Sequence, residues 1–432
     1  MTAVPLSGLD APSATAAIQR AIDAAHAAGG GRVEIASGTR AVVGTLVLRS
    51  RVELHLAPGS RLVASPERAH YREVAFGGAY GSSPVSGILI LAEDAEDIAI
   101  TGSGVIDGQA LSWMTGFRDA EGRFIREHAA FRPRGVVLTH CRGVRLDGIR
   151  LEDMPFWTIH LTGCREVRID GVSVRNRLDV PNCDGIGIDR CRDVRVSGCS
   201  IQAGDDGVVL KNTRQFAGCW SDCDECADIV VQGCTVVSTS AGLKIGTESH
   251  GAFRRILFAG CIVRDSHRGL AVQVRDSGSV EDVRFSDCLV GTRRFCPKWW
   301  GNAEVIAVTL APRDAQTAPG SIRGVAFSGI QADGENGIVL HGHPGAPLRG
   351  IALHEVAVRV VQRSRWPGGT LDLRPLLGGE HAGNAPHAEH VLLARHVEGL
   401  RLDGVRLVRG EERPWHGALR LLDQVTALDE RA

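Results

Sequence analysis

The sequence has no strong charge imbalance and no long apolar run. Its 432 residues include 49 basic and 50 acidic side chains, a formal net charge of −1. The chain therefore lacks the excess of positive charge with which proteins bind nucleic acid or an anionic membrane surface. No apolar stretch approaches the ~18 residues that a membrane-spanning helix needs. The sequence therefore predicts partners that are neither nucleic acids nor membranes, and it leaves the oligomeric state open.

The N-terminus also lacks a secretory signal, because no basic segment is followed by an apolar one. The chain has 12 cysteines, and most fall at two equivalent positions of an internal repeat, where cysteine is a small buried apolar side chain. The two sets are Cys141, Cys164, Cys191 and Cys226, and Cys199, Cys234, Cys261 and Cys288. We therefore expect a reduced, cytoplasmic protein, with a secreted or periplasmic location as the alternative if a signal has been trimmed.

Lysine is scarce. The chain has only Lys211, Lys244 and Lys298, and arginine supplies the other 46 of its 49 basic residues. Lys211 and Lys244 occupy two outward positions near three aspartates. This placement favours a requirement for a compact ammonium group there, and the alternative is two surface lysines placed by chance.

The sequence has an alternating unit of apolar and polar residues that recurs from Asp97 onward. Three successive copies read CREVRIDGVSV, CRDVRVSGCSI and CADIVVQGCTV. The central apolar residue recurs at intervals of 23 to 42 residues, at Val144, Val167, Val194, Ile229, Ile256, Val283, Val325 and Ile351. Repeats of this length predict an all-β chain, a single-stranded parallel β-helix or solenoid of about ten coils. We interpret residues 1–432 as one such domain.

Other segments fall outside the repeat. Residues 13–28 have apolar residues at helical spacing behind Ser13, a candidate N-cap, and predict a short helix that caps the solenoid. Residues 410–432 are interpreted as a C-terminal cover. Five long insertions interrupt the repeat, at residues 67–87, 109–134, 213–225, 291–320 and 363–390. Loops of this length are usually functional or disordered, and we expect these loops to form the walls of a cleft.

The stretch from Pro181 to Asn212 contains three aspartates in polar turns. Asp184 and Asp206 lie 22 positions apart, each begins an apolar run, and Asp205 precedes Asp206. Equivalent residues on successive coils stack about 4.7–4.9 Å apart, so the three carboxylates should converge on one face. Such proximity keeps one carboxylic acid protonated beside an ionised partner. The pattern favours acid/base chemistry on a sugar, although both segments are also ordinary turn sequences.

The strands that follow these turns can be aligned by their inward apolar residues. In this alignment the reference position on successive coils holds Trp157, Asp184, Asp206, Ala241 and Arg268. The position three residues later holds His160, Gly187, Val209, Lys244 and Ala271. The position five residues later holds Thr162, Asp189, Lys211, Gly246 and Gln273. One outer face is expected to carry these polar side chains. The candidate substrate-binding residues are Trp157, His160, Asn182, Lys211, Lys244, His250, Arg268 and Gln273.

Taken together, the motifs resemble the polygalacturonase-like glycoside hydrolases of family 28. The matching segments are AIQRAIDAAHAAGGGRVEIASGT, GSGVIDG (102–108), MPFWTIH (154–160), NCDG, GDDGVVLK and GLKIG (242–246). The resemblance implies a right-handed parallel β-helix and inverting hydrolysis of pectic chains. It makes Asp205 the acid that protonates the glycosidic oxygen, while Asp184 and Asp206 activate water. An inverting pair leaves a gap of about 6.5–9.5 Å for that water, and no metal or other cofactor is required.

Two motifs of the family are changed in this chain. Its Gly-His-Gly aligns with Ser240-Ala241-Gly242, and its carboxylate-binding Arg-Ile-Lys aligns with Ala271-Val272-Gln273. Either Lys244, Arg268 and His250 rebuild the anion site, or the bound sugar is neutral, such as rhamnose. Because the long loops should block one end of the groove, we expect an exo-acting enzyme that removes terminal galacturonic acid or rhamnose.

Three further interpretations compete or add to this one. A β-helix lyase or uronate epimerase would use Lys211 or Lys244 beside the carboxylates, and a non-catalytic carbohydrate-binding solenoid would bind without turnover. Cys219, Cys223 and Cys226 have a spacing that also occurs at metal sites. Because Cys226 belongs to the repeat and no fourth ligand is placed, the sequence predicts no metal.

Overall fold

The computed structural model describes residues 2–4, 6, 8–75, 83–117, 125–214, 225–296, 299–378 and 382–431. The chain divides into two compact units. Unit 1 comprises Met1–Asp205 and Arg214–Cys223, and unit 2 comprises Asp206–Thr213 and Asp224–Ala432. The organisation as one domain stays a prediction.

Unit 1 begins with the predicted helix, α1, over Ala11–Ala27. Its N-cap is Asp10, whose carboxylate accepts a hydrogen bond from the Ser13 backbone N–H at 2.9 Å. The prediction that Ser13 is the N-cap was therefore wrong, because Asp10 satisfies an N–H group of the first turn and Pro12 is tolerated there. The apolar face of α1 is buried through Ala14, Ile18 and Ile22. No described helix is both long and apolar enough to cross a bilayer.

Unit 1 has three ladders of parallel strands, and each complete coil contributes one strand to each ladder. The first ladder contains β4 (Leu46–Val47), β8 (Val85–Glu93), β13 (Arg134–Thr139), β16 (Ile159–Thr162) and β19 (Ile186–Asp189). The second contains β1 (Thr2–Ala3), β2 (Gly31–Ile35), β5 (Val52–Leu56), β9 (Glu96–Gly102), β14 (Arg142–Asp147), β17 (Arg165–Asp170) and β20 (Arg192–Ser197). The third contains β3 (Arg40–Val43), β6 (Arg61–Ala64), β10 (Val105–Asp107), β15 (Arg150–Glu152), β18 (Ser173–Arg175) and β21 (Ser200–Ala203).

Unit 2 repeats this arrangement. Its first ladder contains β22 (Val208–Asn212), β25 (Ala241–Ser249), β28 (Arg268–Val274), β31 (Glu304–Leu310), β33 (Asn336–His341), β37 (Leu392–Glu398) and β40 (Arg420–Thr426). The second contains β23 (Glu225–Gln232), β26 (Ala252–Ala259), β29 (Ser279–Ser286), β32 (Ser321–Gly334), β34 (Leu348–Val360), β38 (Arg401–Asp403) and β41 (Asp429–Arg431). The third contains β24 (Thr235–Ser238), β27 (Ile262–Ser266), β30 (Leu289–Thr292), the C-terminal parts of β32 and β34, and β39 (Arg406–Arg409).

The insertions form short elements of their own. Antiparallel pairing joins β7 (Arg72–Ala75) to β8, β11 (Met114–Phe117) to β12 (Arg126–His128), and β35 (Thr370–Asp372) to β36 (Asn384–Pro386). Among the described residues, single-turn 3-10 helices span Arg68–His70 and Ala110–Trp113. The segment 410–432, predicted to be a cover, contains β40 and β41, which continue the parallel ladders.

The alternating residues of the repeat stack in register within each unit. Val144 pairs with Val167 and Val167 with Val194 in unit 1, and Ile256 pairs with Val283 in unit 2. Inward side chains therefore lie above one another, as in the stacked rings of Phe258, Phe285 and Phe327, whose successive centroids are 4.6 and 4.9 Å apart. Burying such a ring contributes about 1.5–3 kcal/mol. The predicted parallel β-helix is confirmed.

Cysteines belong to the same stacks. The ten described cysteines are all buried thiols, and in unit 1 the Cys164 N–H donates to Cys191 Sγ on the next coil at 3.3 Å. The predicted role as small buried side chains is thus confirmed for these positions, while Cys219 and Cys223 lie outside the described residues. The cytoplasmic location stays a prediction.

Candidate active site

Asn182 and Asp184 lie in unit 1, in the turn before β19. Asn182 has a left-handed backbone, with φ of 58°, a conformation that asparagine adopts more readily than most residues. Cys183 between them packs against Ala110 and Val180, and burial raises the pKa of its thiol. This buried cysteine anchors the turn, so Asn182 and Asp184 are held on a rigid support.

Asp205 follows β21 in the same unit and approaches Asn182. The Asn182 side-chain amide lies 3.4 Å from Asp205 Oδ2, and the Gly204 N–H donates to Cys183 Sγ at 3.2 Å. A Cβ atom on Gly204 would collide with the Val180 carbonyl oxygen. The two turns can therefore pack closely only because residue 204 is glycine.

Arg132, which we did not predict, orients Asn182. Its guanidinium donates to Asn182 Oδ1 at 3.1 Å and to the Pro181 carbonyl oxygen at 2.9 Å, and it lies 4.3 Å from the centre of the Phe156 ring. Because Arg132 occupies Oδ1, the Nδ2 group of Asn182 faces Asp205. Arg132 lies in the insertion 109–134, 50 residues before Asn182, and no repeat pattern connects the two.

In unit 1, His160 lies on β16, the strand before β19 in the first ladder, and Trp157 lies two residues before that strand. Pairing of Ile159 with Ile186 puts Trp157 at the position equivalent to Asp184, as predicted. The two rings meet edge to face at 4.7 Å. His160 Nδ1 lies 3.3 Å from Arg134 Nη1, and Nε2 lies 3.6 Å from an Asp189 carboxylate oxygen. His160 is thus held between a cation and an anion.

Asp206 begins unit 2 and accepts three hydrogen bonds. Ser240 Oγ and the Ala241 N–H donate to Oδ1 at 2.8 and 3.1 Å, and Lys244 Nζ donates to Oδ2 at 2.7 Å. Val209 pairs with Lys244, as the alignment predicts. Lys244 therefore reaches Asp206 from β25, the neighbouring strand of the first ladder.

Lys211 and His250 also have acidic neighbours. Lys211 Nζ lies 3.3 Å from Glu248 Oε2, and His250 Nε2 lies 3.6 Å from Asp276, which Arg313 contacts at 2.8 Å. The predicted pairing of Lys211 with Gly246 was wrong, because the register shifts after Leu210 and Asn212 pairs with Ser249. This irregularity places Lys211 beside Glu248.

Arg268 lies one coil beyond Ala241 and is enclosed by carboxylates. Its guanidinium makes two 3.0 Å hydrogen bonds to Glu304, lies 3.8 Å from Asp372, and donates to Gln273 Oε1 at 3.0 Å. Burial lowers the pKa of Arg268, but the charges of Glu304 and Asp372 outweigh it and raise the pKa above its usual value. Burial likewise raises the pKa of Asp372, and the hydrogen bond and charge of Arg374 bring it down to about 2.

Comparison with known proteins places these turns in a family. The model of glycosyl hydrolases family 28 matches residues 73–291, a segment that includes Asp184, Asp205 and Asp206. The chain belongs to glycosyl hydrolase family 28. Relatives include a probable polygalacturonase of Arabidopsis thaliana, 29% identical over 28% of this chain, and one of Vitis vinifera, 24% identical over 43%. The matched segments span only 24% and 37% of those proteins.

Two solved structures share the fold of this family 28 chain. An exopolygalacturonase from Thermotoga maritima is 24% identical, with a TM-score of 0.67 over 80% of this chain and 83% of its own. A family 28 exopolygalacturonase from Yersinia enterocolitica is 19% identical, with a TM-score of 0.71 over 99% of this chain and 77% of its own. At these identities the likeness shows the fold, the right-handed parallel β-helix that the sequence predicts.

The candidate site of this family 28 chain is more enclosed than the sequence suggested. The alternating pattern places these side chains on an outer face, yet Asp184, Asp205 and Asp206 are only 3%, 6% and 2% exposed. Every residue of β19 in unit 1, and of β22, β25 and β28 in unit 2, is buried. In unit 2, Asp372 of the insertion 363–390 approaches Arg268 of β28, and periodicity cannot reveal such contacts.

The predicted binding residues differ in their surroundings. Trp157, His160, Asn182, Lys211, Lys244, Arg268 and Gln273 are buried, whereas the His250 side chain is 28% exposed. Asn182 meets Asp205, and Lys244 meets Asp206. The convergence of all three carboxylates, and contact of these residues with sugar, stay predictions. Among the described residues no group of three or more metal-ligating side chains is present.

Proposed function

We propose that this family 28 chain is an inverting glycoside hydrolase that acts on pectic or related oligosaccharides. The supporting observation is the set of donors around Asp206. Its carboxylate accepts hydrogen bonds from Ser240 Oγ, the Ala241 N–H and the Lys244 ammonium, while Asp205 lies beside the Asn182 side-chain amide. Donors to both oxygens fix the orientation of the Asp206 carboxylate. We therefore assign Asp206 the role of base and Asp205 the role of acid.

In this proposal Asp205 donates its proton to the glycosidic oxygen as the bond to the anomeric carbon breaks. Asp184 and Asp206 position a water molecule, and Asp206 accepts its proton as the water oxygen attacks the opposite face of the sugar through an oxocarbenium-like transition state. The product therefore carries the inverted anomeric configuration. Asn182, held by Arg132, would keep the Asp205 carboxyl group oriented throughout.

Coverage of the first ladder supports exo action. In unit 2 the hairpin of β35 and β36 is fixed by buried contacts: the Gly301 N–H donates to Asp372 at 2.7 Å, and Asn302 donates to the Thr370 carbonyl oxygen at 2.7 Å. Asp372 from this hairpin also approaches Arg268. A sugar chain cannot continue along β28 where the protein's own hairpin lies, so we propose cleavage near a chain end.

The alternative lyase or epimerase has less support. Its candidate bases, Lys211 and Lys244, lie against Glu248 and Asp206. Each of these amino groups is therefore already paired with a carboxylate of the protein, and a lyase would have to break that pair before either lysine could take a proton from the sugar.

The test is proton NMR of galacturonan and rhamnogalacturonan oligosaccharides followed from the first minute after mixing. The proposal expects release of one terminal sugar whose first-formed anomer is inverted. A first-formed anomer with retained configuration would contradict the inverting mechanism. Random internal cleavage would contradict exo action. Signals of an unsaturated sugar would indicate the lyase, and binding without turnover would indicate a non-catalytic solenoid.

A further inference from the structure

We infer that the sugar unit held against β25 and β28 of unit 2 is uncharged, an inference that rests on the proposed hydrolase function. Recognition of a uronate requires a cation that can turn toward its carboxylate. Burying a carboxylate without such a partner costs several kcal/mol. The charges already present on this face therefore decide which sugar it accepts.

Among the described residues of unit 2, the cations on or near this face pair with carboxylates of the protein. Lys244 pairs with Asp206 at 2.7 Å and Arg268 with Glu304 at 3.0 Å. The other pairs are Lys211 with Glu248 at 3.3 Å, Arg294 with Glu389 at 2.6 Å, Arg313 with Asp276 at 2.8 Å and Arg374 with Asp372 at 2.9 Å. A uronate would have to displace one of these carboxylates, and it would meet the others as like charges.

Arg275 does not supply a cation for a sugar either. It follows β28, is fully buried, and donates to the Val274 and Thr309 carbonyl oxygens and to Thr309 Oγ1. Burial, with the nearby charge of Arg268, lowers its pKa to about 9. Its guanidinium is thus held within the protein by uncharged acceptors and is not exposed to a ligand.

A neutral hydrogen-bond donor is available in the same place. Gln273 lies on β28 and is 1% exposed, its Oε1 accepts from Arg268, and its Nε2 has no hydrogen-bond partner. A buried amide N–H without an acceptor costs about 1–3 kcal/mol. A sugar hydroxyl or ring oxygen can satisfy this group without bringing a charge. The contacts on this face therefore suit a neutral sugar such as a deoxyhexose or hexose.

The experiment uses the full-length Asp205→Asn variant, in which binding is measured separately from hydrolysis. Calorimetry compares trigalacturonate, its carboxyl-reduced neutral counterpart with the same linkage, and a rhamnogalacturonan oligosaccharide that ends in rhamnose. We expect one of the two neutral-ended probes to bind at least about tenfold more tightly than trigalacturonate. Tighter binding of trigalacturonate, or no binding of any probe, would overturn the inference.

Hydrolysis by the wild-type enzyme then tests the proposed function independently. A neutral probe that binds but is not cleaved would support the inference and contradict the hydrolase. The variant Gln273→Lys adds a cation on β28 and should shift the affinity ratio toward trigalacturonate. Gln331→Lys, on the third ladder, is the matched control and should leave that ratio unchanged. If the affinity ratio is unchanged in Gln273→Lys, Gln273 does not contact the bound sugar.

Discussion

Lys244 Nζ lies 2.7 Å from Asp206 Oδ2, so a lysine on β25 neutralises the aspartate that precedes β22. Ser240 and Ala241 donate to the other carboxylate oxygen. The histidine of the family's Gly-His-Gly motif is replaced by Ala241, whose backbone N–H still contributes. Lys244, one of three lysines in the sequence, thus gives Asp206 a positively charged hydrogen-bond donor.

Replacement of this lysine, Lys244→Met, should lower turnover. The change removes the ammonium group that donates to Asp206 Oδ2 at 2.7 Å. Because this contact holds the carboxylate of the proposed base, we expect kcat to fall by about tenfold or more, which corresponds to about 1.4 kcal/mol in the activation barrier. Steady-state kinetics measures this loss.

Lys211→Met is the matched control for that experiment, since it removes a buried lysine whose partner is Glu248. Its kcat should fall less than that of Lys244→Met. An equal loss in both variants would mean that Lys244 acts through overall structure and not through Asp206. Circular dichroism of each variant checks that the fold is retained.

Asp205→Asn should abolish most turnover while leaving the fold intact. The amide keeps the shape of the carboxyl group but cannot donate a proton at neutral pH, and loss of a general acid typically costs about 10²–10⁴ in rate. We expect kcat to fall within or beyond that range with little change in melting temperature. Near-normal turnover would show that Asp205 is not the acid.

The coil register could be predicted from the sequence because alternation and repeat length both constrain it. Pairing of Ile159 with Ile186, and of Leu243 with Leu270, follows directly from their inward positions. A shift by one residue would turn the apolar side chains outward. The same argument placed Lys244 opposite Val209.

Coverage of the outer face could not be predicted in this way. Val209 and Ala271 point away from the core in the alternating pattern, yet neither is exposed. The contacts that enclose this ladder come from insertions with no repeat, and their partners are far apart in the sequence, as with Arg268 and Asp372. Arg132 was missed for the same reason. Its guanidinium gives no signal in the sequence around Asn182.

Substitutions of Arg132 and Asn182 should have non-additive effects on activity, because Arg132 orients Asn182. Arg132→Met frees Asn182 Oδ1, so the amide loses its orientation toward Asp205. We expect kcat to fall by about tenfold in Arg132→Met and in Asn182→Ala. The double variant should be little worse than either single one, with a coupling energy of about 0.5–3 kcal/mol. If the losses of activity in the two single variants add up in the double variant, Arg132 contributes only to packing. The control is Arg126→Met, which removes the contact with Asp179.

His267 should make unit 2 less stable in acid. Burial, followed by the charges of Arg268 and Arg294, lowers its pKa from 6.5 to about 3. Between these values the unfolded chain binds a proton that the folded protein excludes. The free energy of unfolding should therefore fall by about 1.4 kcal/mol for each pH unit below 6.5 on account of this residue. Urea denaturation at pH 6.5, 5.5 and 4.5 measures the slope, which should be shallower by that amount in His267→Gln. His354→Gln, at an exposed histidine beside Asp403, is the control, and an equal change of slope there would contradict the assignment to His267.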